Sequence, residues 1–423
     1  MSEKLVINNF TGIKHLDLDL RKVNILIGPQ ATGKSICAKL LYHFKGFIFD
    51  IFTAVENQQS KPEMDAKFIN EFQEYFPPQS LGKGAFSLRY TIGDSFIEIS
   101  KGGSVKSKVG LSYSDFYRKE LNLSRRELKN SIKKYLNDTK AWRWEIFNDV
   151  KQDRIMYAKG ELGELAGYNQ LFIPAGRSFF ANLQSSIFSF LSSNQAIDPF
   201  ITEFGKLYET MKGISEITRP NGLKGRELKN KIDAMAESIL CGKHIYEKGK
   251  DFLQLQDGRR TSLTHASSGQ QETLPLAVIL SLFPFQEFGN QGFSIFIEEP
   301  EAHLFPTSQR GIVQLIAVVF NKSKTPLQFF ITTHSPYILT AFNNLMQAGT
   351  LEKRAHSDKE KKKLHDIIPP EQVLDPNVVS AFSLADGTGK NICSTDTGLI
   401  SPNVIDEVSH VISTEFGSLL EME

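Results

Sequence analysis

The sequence predicts an α/β protein with a mixed, strand-rich N-terminal lobe, a parallel core sheet and an inserted helical lobe. Three observations predict it. Short strand patterns crowd the first hundred residues, an apolar run at 23–27 leads straight into the glycine-rich stretch Gly28 to Ser35, and the last third alternates strand and helix patterns.

Alternating apolar residues predict strands over 4–10, 16–20 and 23–27, then over 86–92, 95–100 and 104–112, with Gly93-Asp94 and Gly102-Gly103 as turns. Between the two groups, 35–49 has helical apolar spacing. Residues 58–79 are polar, hold Pro62, Pro77 and Pro78, and are expected as a surface excursion. Residues 114–165 read as charged helix. From Arg118 to Lys140 eight basic side chains stand against three acidic ones, either a solvated face or an arm for phosphates or a partner. A strand-like LFIPAGR at 171–177 precedes an aromatic, serine-rich helix, a helix at 226–239 and a hairpin over 244–263 that turns at Asp257-Gly258. Helix 268–282, strand 293–297, helix 306–320, strand 327–332 and helix 337–346 follow, and such alternation implies a parallel sheet. The charged run 352–365 reads as an exposed loop or helix end. Three segments are expected: 1–113, 114–240 as the helical insertion, and 241–423.

With 423 residues, 49 Lys+Arg and 48 Asp+Glu, the chain is long enough for two or three lobes and has no overall basic field, so any nucleic-acid contact needs a local patch. Cys37, Cys241 and Cys393 lie far apart without a CxxC pair, which argues against a disulfide framework or zinc site and fits a reducing cytoplasm. No apolar stretch approaches the roughly 18–20 residues of a membrane helix, and MSEKLVINNF lacks a signal-peptide core. A cytoplasmic protein with no membrane partner is expected.

Gly28-Pro29-Gln30-Ala31-Thr32-Gly33-Lys34-Ser35 is a full GxxxxGK[ST] phosphate loop between a strand and a helix that continues at Ile36. Glycines let the backbone curl until successive N–H groups and the helix N-terminus face a phosphate. Lys34 supplies a charge to the β- and γ-phosphates, and Ser35 offers an oxygen to Mg2+. A nucleoside triphosphate with Mg2+ is therefore the expected ligand. The strand at 293–297 ends in Glu298 and Glu299, where buried acids need a cation or a water. Glu298 is assigned to the metal and Glu299 to the attacking water as general base. Ser267, Ser268, Gly269 and Gln270 form a serine-glycine turn opening a helix, and Ser267 reads in any case as its N-cap. A further strand delivers His334 at its C-terminal end.

In this order the four motifs resemble the ATP-binding-cassette superfamily of ATPases, in its SMC-like and OLD-like branch. SSGQQE stands for the signature, IEEPEAHLFP for Walker B and TTHSPYIL for the switch histidine. The likeness runs from LVINNFTGI to the switch, and DTGLISPNVIDEVS is similar to the ending of short bacterial members. The fold class is then an ABC-type ATPase head. The resemblance implies two ATP molecules sandwiched between two head-to-tail copies, with Ser267, Ser268 and Gly269 of one copy on the γ-phosphate held by Lys34 of the other. It implies that His334 senses that phosphate, and it makes Gln170 and Arg177 candidates for the Q-loop and Asn9-Phe10-Thr11 a flank for adenine. Two features depart from the pattern: Glu298 replaces the usual aspartate, and ASSGQ replaces LSGGQ.

After His334 only 89 residues follow, with neither a DxD pair nor an acidic cluster, so no TOPRIM nuclease is expected within the chain. The resemblance then implies an ATPase subunit of a bacterial anti-phage defence system, of the PARIS, Septu or retron-associated type. Such a subunit senses a phage-derived trigger and controls a separate TOPRIM or HNH nuclease or toxin. A RecF/SMC-like DNA-binding repair ATPase and a nucleotide-gated scaffold with negligible turnover are the alternatives.

Overall fold

The computed structural model describes residues 2–82, 84–104, 107–135, 143–183, 198–218, 220, 222–286, 291–401 and 407–420. The alternating patterns of the first third become β1 (Glu3–Phe10), β2 (Ile13–Leu20), β3 (Val23–Ile27), β4 (Phe86–Ile92), β5 (Ser95–Lys101) and β6 (Val109–Tyr113). Then come β7 (Asn169–Ile173), β8 (Lys243–Glu247), β9 (Lys250–Gln254), β10 (Arg260–Ser262), β11 (Phe293–Glu298), β12 (Leu327–Thr333), β13 (Val379–Ala385) and β14 (Thr388–Asn391).

Eleven of these strands form one sheet in the order β6-β5-β4-β1-β2-β14-β13-β3-β12-β11-β7. β1, β2, β4, β5 and β6 pair antiparallel, whereas β13, β3, β12, β11 and β7 run parallel. The sequence places no strand in 379–391, yet β13 and β14 insert between β2 and β3. β13 pairs with β3 from Val379↔Val23 to Ser383↔Ile27, and β14 pairs parallel with β2 at Thr388↔His15. What reads as an N-terminal lobe and a separate core sheet is thereby one continuous sheet.

Alternation along the buried strands sends side chains to two faces. Leu26, Phe172, Phe296, Phe330 and Phe382 join the core under helix α1 (Lys34–Glu56), with the Phe296 and Phe330 rings stacked at 4.6 Å. Ile25, Ile173, Ile297, Ile331 and Ala381 face the opposite core.

Residues 58–79 are not a surface excursion. Lys61–Tyr75 is a helix, α2, opened by a Ser60/Glu63 capping box, and it buries Met64, Phe68 and Phe72, with Phe72 against Phe10, Phe76 and Phe86 and Phe68 against His43 and Phe47. Its prolines sit in the first turn and beyond the last, where a missing N–H breaks no helical bond.

The helices that follow are α3 (Asp115–Tyr135), α4 (Arg143–Leu162), α5 (Ser178–Leu183), α6 (Pro199–Ile217), α7 (Gly222–Leu240), α8 (Ser268–Leu280), α9 (Pro306–Lys322), α10 (Pro336–Arg354), α11 (Asp358–Ile367) and α12 (Glu407–Leu420). The run 352–365 is therefore helical over most of its length. The expected hairpin at 244–263 is a three-stranded sheet, β8-β9-β10, because Lys248-Gly249 makes a second turn with both residues left-handed. Residues 105–106 near the start of the strand expected over 104–112, the end of the basic stretch at 136–140, the aromatic run at 184–197 and residues 402–406 of the tail lie outside the described residues. Among the described residues no helix is long and apolar enough to cross a membrane.

Candidate nucleotide-binding site

Parallel pairing brings the C-terminal ends of the core strands to one edge, in register. Ile27 stands opposite Thr333, Thr332 opposite Glu298, and Ile297 opposite Ile173. Each strand therefore releases its next residues at the same level: Gly28 after β3, Glu299 after β11, His334 after β12 and Pro174 after β7. Ligands in open α/β sheets bind at this edge.

Gly28 to Ile36 form a tight turn into α1. Ala31 and Gly33 are left-handed, at φ 60° and 99°. A Cβ on Gly28 would stand 2.2 Å from the Leu384 carbonyl oxygen of β13, so the loop's first glycine is required by the inserted strand. The Thr32 hydroxyl donates to Pro29 O at 2.9 Å; Pro29, Gln30, Ala31 and Ser35 are exposed. Lys34 is buried, and its Nζ donates to Gly28 O (2.8 Å) and Pro29 O (2.7 Å) and lies 3.3 Å from His334 Nδ1. Burial lowers the Lys34 pKa, opposed by the charges of Glu299 and Glu301.

His334 Nε2 lies 2.9 Å from Glu299 Oε1, so Lys34, His334 and Glu299 form one connected chain. Glu299 is itself left-handed, at φ 43°, while its N–H still donates to Thr332 O at 2.9 Å. Backbone strain of this kind costs roughly 1–3 kcal/mol and clusters at functional sites. Glu298 is buried. Its Oε2 accepts weakly from Ala175 N at 3.3 Å, and its Oε1 has no hydrogen-bond partner. A buried carboxylate oxygen without a donor suits a cation, so the residues present fit Mg2+ beside a phosphate loop.

Three further residues organise the edge. Glu301, quoted within the Walker B stretch but given no role by the sequence, accepts from the Thr333 hydroxyl and from His334 N, both at 2.7 Å, and so fixes the switch loop. Gln309 accepts from the Ser335 hydroxyl at 2.5 Å. Arg177, wholly buried, donates to the carbonyls of Glu272, Pro174, Glu298 and Glu299 at 2.7 to 3.0 Å, and its own N–H donates to Glu272 Oε2 at 2.8 Å. Arg177 thus ties the LFIPAGR stretch and the signature helix to the Walker B turn. Gln170, the other Q-loop candidate, lies at the opposite end of β7 and packs against Gly46 of α1. The start of β2 approaches the phosphate loop, where a Cβ on Gly33 would meet Ile13 Cδ1 at 2.7 Å, while Phe10 is buried among Phe72, Phe76 and Phe86.

Ser267 to Gln270 stand apart from this network. Ser267 caps α8 in a capping box with Gln270, whose side-chain amide donates to Leu240 O at 2.8 Å. Gly269 is pressed so closely on the loop after Glu299 that a Cβ would lie 2.6 Å from His303 O. Ser267 and Ser268 are exposed, and the hydrogen bonds described for the Ser267 side chain stay within α8.

Comparison with known proteins agrees with the phosphate-loop architecture. Residues 1–339 match the AAA ATPase domain. The chain is 24% identical over 362 residues to an OLD nuclease of Thermus scotoductus, covering 85% of this chain and 63% of that protein, so it spans less than two thirds of that relative. Among solved structures it is similar to the SMC head domain from Thermotoga maritima (10% identity, TM-score 0.37, 92% and 98% of the two chains). It is also similar to an Smc head domain bound to the C-terminal domain of ScpA from Pyrococcus furiosus (12%, 0.38, 97% and 99%). With a match over about four fifths of its length, the chain belongs to the AAA ATPase domain family.

Proposed function

We propose that the protein binds and hydrolyses ATP with Mg2+ between two head-to-tail copies and uses the cycle to control a separate effector in the bacterial cytoplasm. The observation that carries the hydrolytic reading is the connected chain Lys34–His334–Glu299 beside the unpartnered Glu298 oxygen. Mg2+, held by the Ser35 hydroxyl and Glu298 together with the nucleotide, would neutralise charge on the β- and γ-phosphates. Backbone N–H groups of Gln30 to Ile36 bind the phosphates, and Lys34 exchanges the Gly28 and Pro29 carbonyls for a phosphate oxygen. Glu299 takes the proton of the attacking water, while His334, which holds Glu299 Oε1, reports the γ-phosphate to it. Ser267, Ser268 and Gly269 of a second copy supply hydroxyl and N–H donors from the start of α8.

ATP turnover of the protein and of Lys34→Ala and Glu299→Gln tests this. Both variants are expected to lose turnover by about 100-fold or more, with ATP binding kept in Glu299→Gln. Turnover by Glu299→Gln within a few-fold of wild type would remove Glu299 as the base.

Control of a nuclease or toxin in anti-phage defence is supported by the similarity to an OLD nuclease. The described residues after His334 also complete the ATPase sheet through β13 and β14. A second reading, a DNA-clamping repair ATPase, is favoured by Lys119, Arg126, Lys129 and Lys133, which are exposed along α3 while Glu120 and Glu127 are engaged by Arg154. Arg125 is not on this face, since its guanidinium holds the Gln59 carbonyl. Duplex DNA that stimulates turnover, with an affinity that falls steeply with salt and is lost on reversing these four charges, would place the repair reading first.

A further inference from the structure

Beside the middle of α1, at the opposite end of β7 from the phosphate loop, lies a cavity of 320 Å³ bounded also by α2, the start of β7 and Glu203 of α6. Three carboxylates, Asp50, Glu71 and Glu203, line it. Asp50 and Glu71 share one cation, Lys67, whose Nζ stands 3.6 Å from Asp50 Oδ1 and 3.4 Å from Glu71 Oε1, at the limit of or beyond hydrogen-bond range. Gln170 Oε1 is buried in the wall with no donor. His43, only 4% exposed, also lines the cavity. One of its ring nitrogens is bound to the Phe68 backbone, and Nε2 has no partner. Burial pushes the imidazole down to about 3, so it is neutral and Nε2 carries a lone pair. Of the two tyrosine hydroxyls here, that of Tyr42 is already given to Glu203 Oε2 at 3.1 Å, and Tyr75 and the Asn169 amide are further neutral donors beside the three carboxylates. Burial together with the Glu71 charge pushes the Asp50 carboxyl up to about 7, and burial raises Glu71 too, as expected where negative charge is under-compensated.

An excess of acceptors on three elements, flanked by the rings of Tyr42, Phe49 and Tyr75, calls for a cation with several donors and a flat face. A guanidinium has five N–H donors in one plane, whereas an ammonium is a point charge with three. We propose that this cavity is a guanidinium-binding site, with Asp50 and Glu71 as charge partners and Gln170 Oε1 and His43 Nε2 as further acceptors. The ligand is either the arginine side chain of a partner protein or a free guanidino compound. The site is independent of the nucleotide edge.

Calorimetric titration of the whole protein with acetyl-arginine amide, agmatine and cadaverine tests the site. Saturable binding of at least one guanidinium compound is expected, about tenfold weaker with cadaverine and about tenfold weaker in Asp50→Asn and in Glu71→Gln. Binding should be unaltered in Lys34→Ala and tighter in Lys67→Met, which removes the resident competitor. Tighter binding of acetyl-arginine amide assigns the site to a protein arginine; tighter binding of agmatine assigns it to a free compound. No saturable binding of either guanidinium compound at millimolar concentration, equal binding of cadaverine, or binding indifferent to both carboxylate variants would overturn the proposal. Thermal melting confirms that each variant is folded, and the gain expected of Lys67→Met does not depend on a loss of function.

Discussion

Arg177 shows how much a single side chain decides. It is wholly buried, burial lowers its pKa against the pull of Glu272, and it donates to four carbonyls on three segments. Arg177→Met would leave the Glu272 carboxylate buried with only Ser178 and backbone donors, at a cost of about 3–5 kcal/mol. Urea unfolding should show that loss, and Arg177→Lys should recover little of it, because one ammonium cannot span the four acceptors. Asp50 makes a different prediction. Its folded pKa of about 7 lies above the unfolded value of 3.8, so the folded state holds the extra proton between these limits and loses stability as pH rises through 7. Asp50→Asn should therefore melt higher than wild type at pH 8 and equal to it near pH 4, with a gain on the order of 2–4 kcal/mol at the upper limit. Lys34 and Ser35 were legible from the GxxxxGK[ST] loop, and Glu298, Glu299 and His334 because each stands at the end of a strand pattern. The Arg177–Glu272 pair was not, since its members are 95 residues apart and no spacing rule joins them.

At the scale of elements, local chemistry was readable where it obeyed a period and misread where prolines stood at helix ends. α2 depends on Ser60 and Glu63 at its start and on Phe68 and Phe72 along its buried face. Ser60→Ala should cost about 1 kcal/mol, measurable as a shift in the urea midpoint with an unchanged slope. The phosphate loop is constrained from the other side by β13. Gly28→Ala would drive a methyl group into the Leu384 carbonyl oxygen and should both destabilise the fold and abolish binding of a fluorescent ATP analogue. Thermal melting and a binding titration on the same sample would check this. Gly28→Ala that bound normally would show that β13 yields at no cost.

For the whole molecule, the proposed sharing of the site between two copies rests on the exposed Ser267 and Ser268. If a second copy completes it, Glu299→Gln with ATP should accumulate a dimer in light scattering behind a sizing column. Ser268→Arg should abolish both that dimer and turnover while leaving ATP binding by the single chain unchanged. Persistence of turnover in Ser268→Arg would sink the shared site. The sequence by itself determined the phosphate loop, the acidic end of β11, the histidine at the end of β12 and the parallel core, because each rests on backbone geometry within a few residues. Only the tertiary structure decided that β13 and β14 join the two groups of strands into one sheet, that Glu301 and Arg177 hold the edge, and that Gln170 faces α1 instead of the nucleotide edge. Those outcomes depend on hydrogen bonds and burial between residues far apart in the chain, whose energies exist only once the strands are packed.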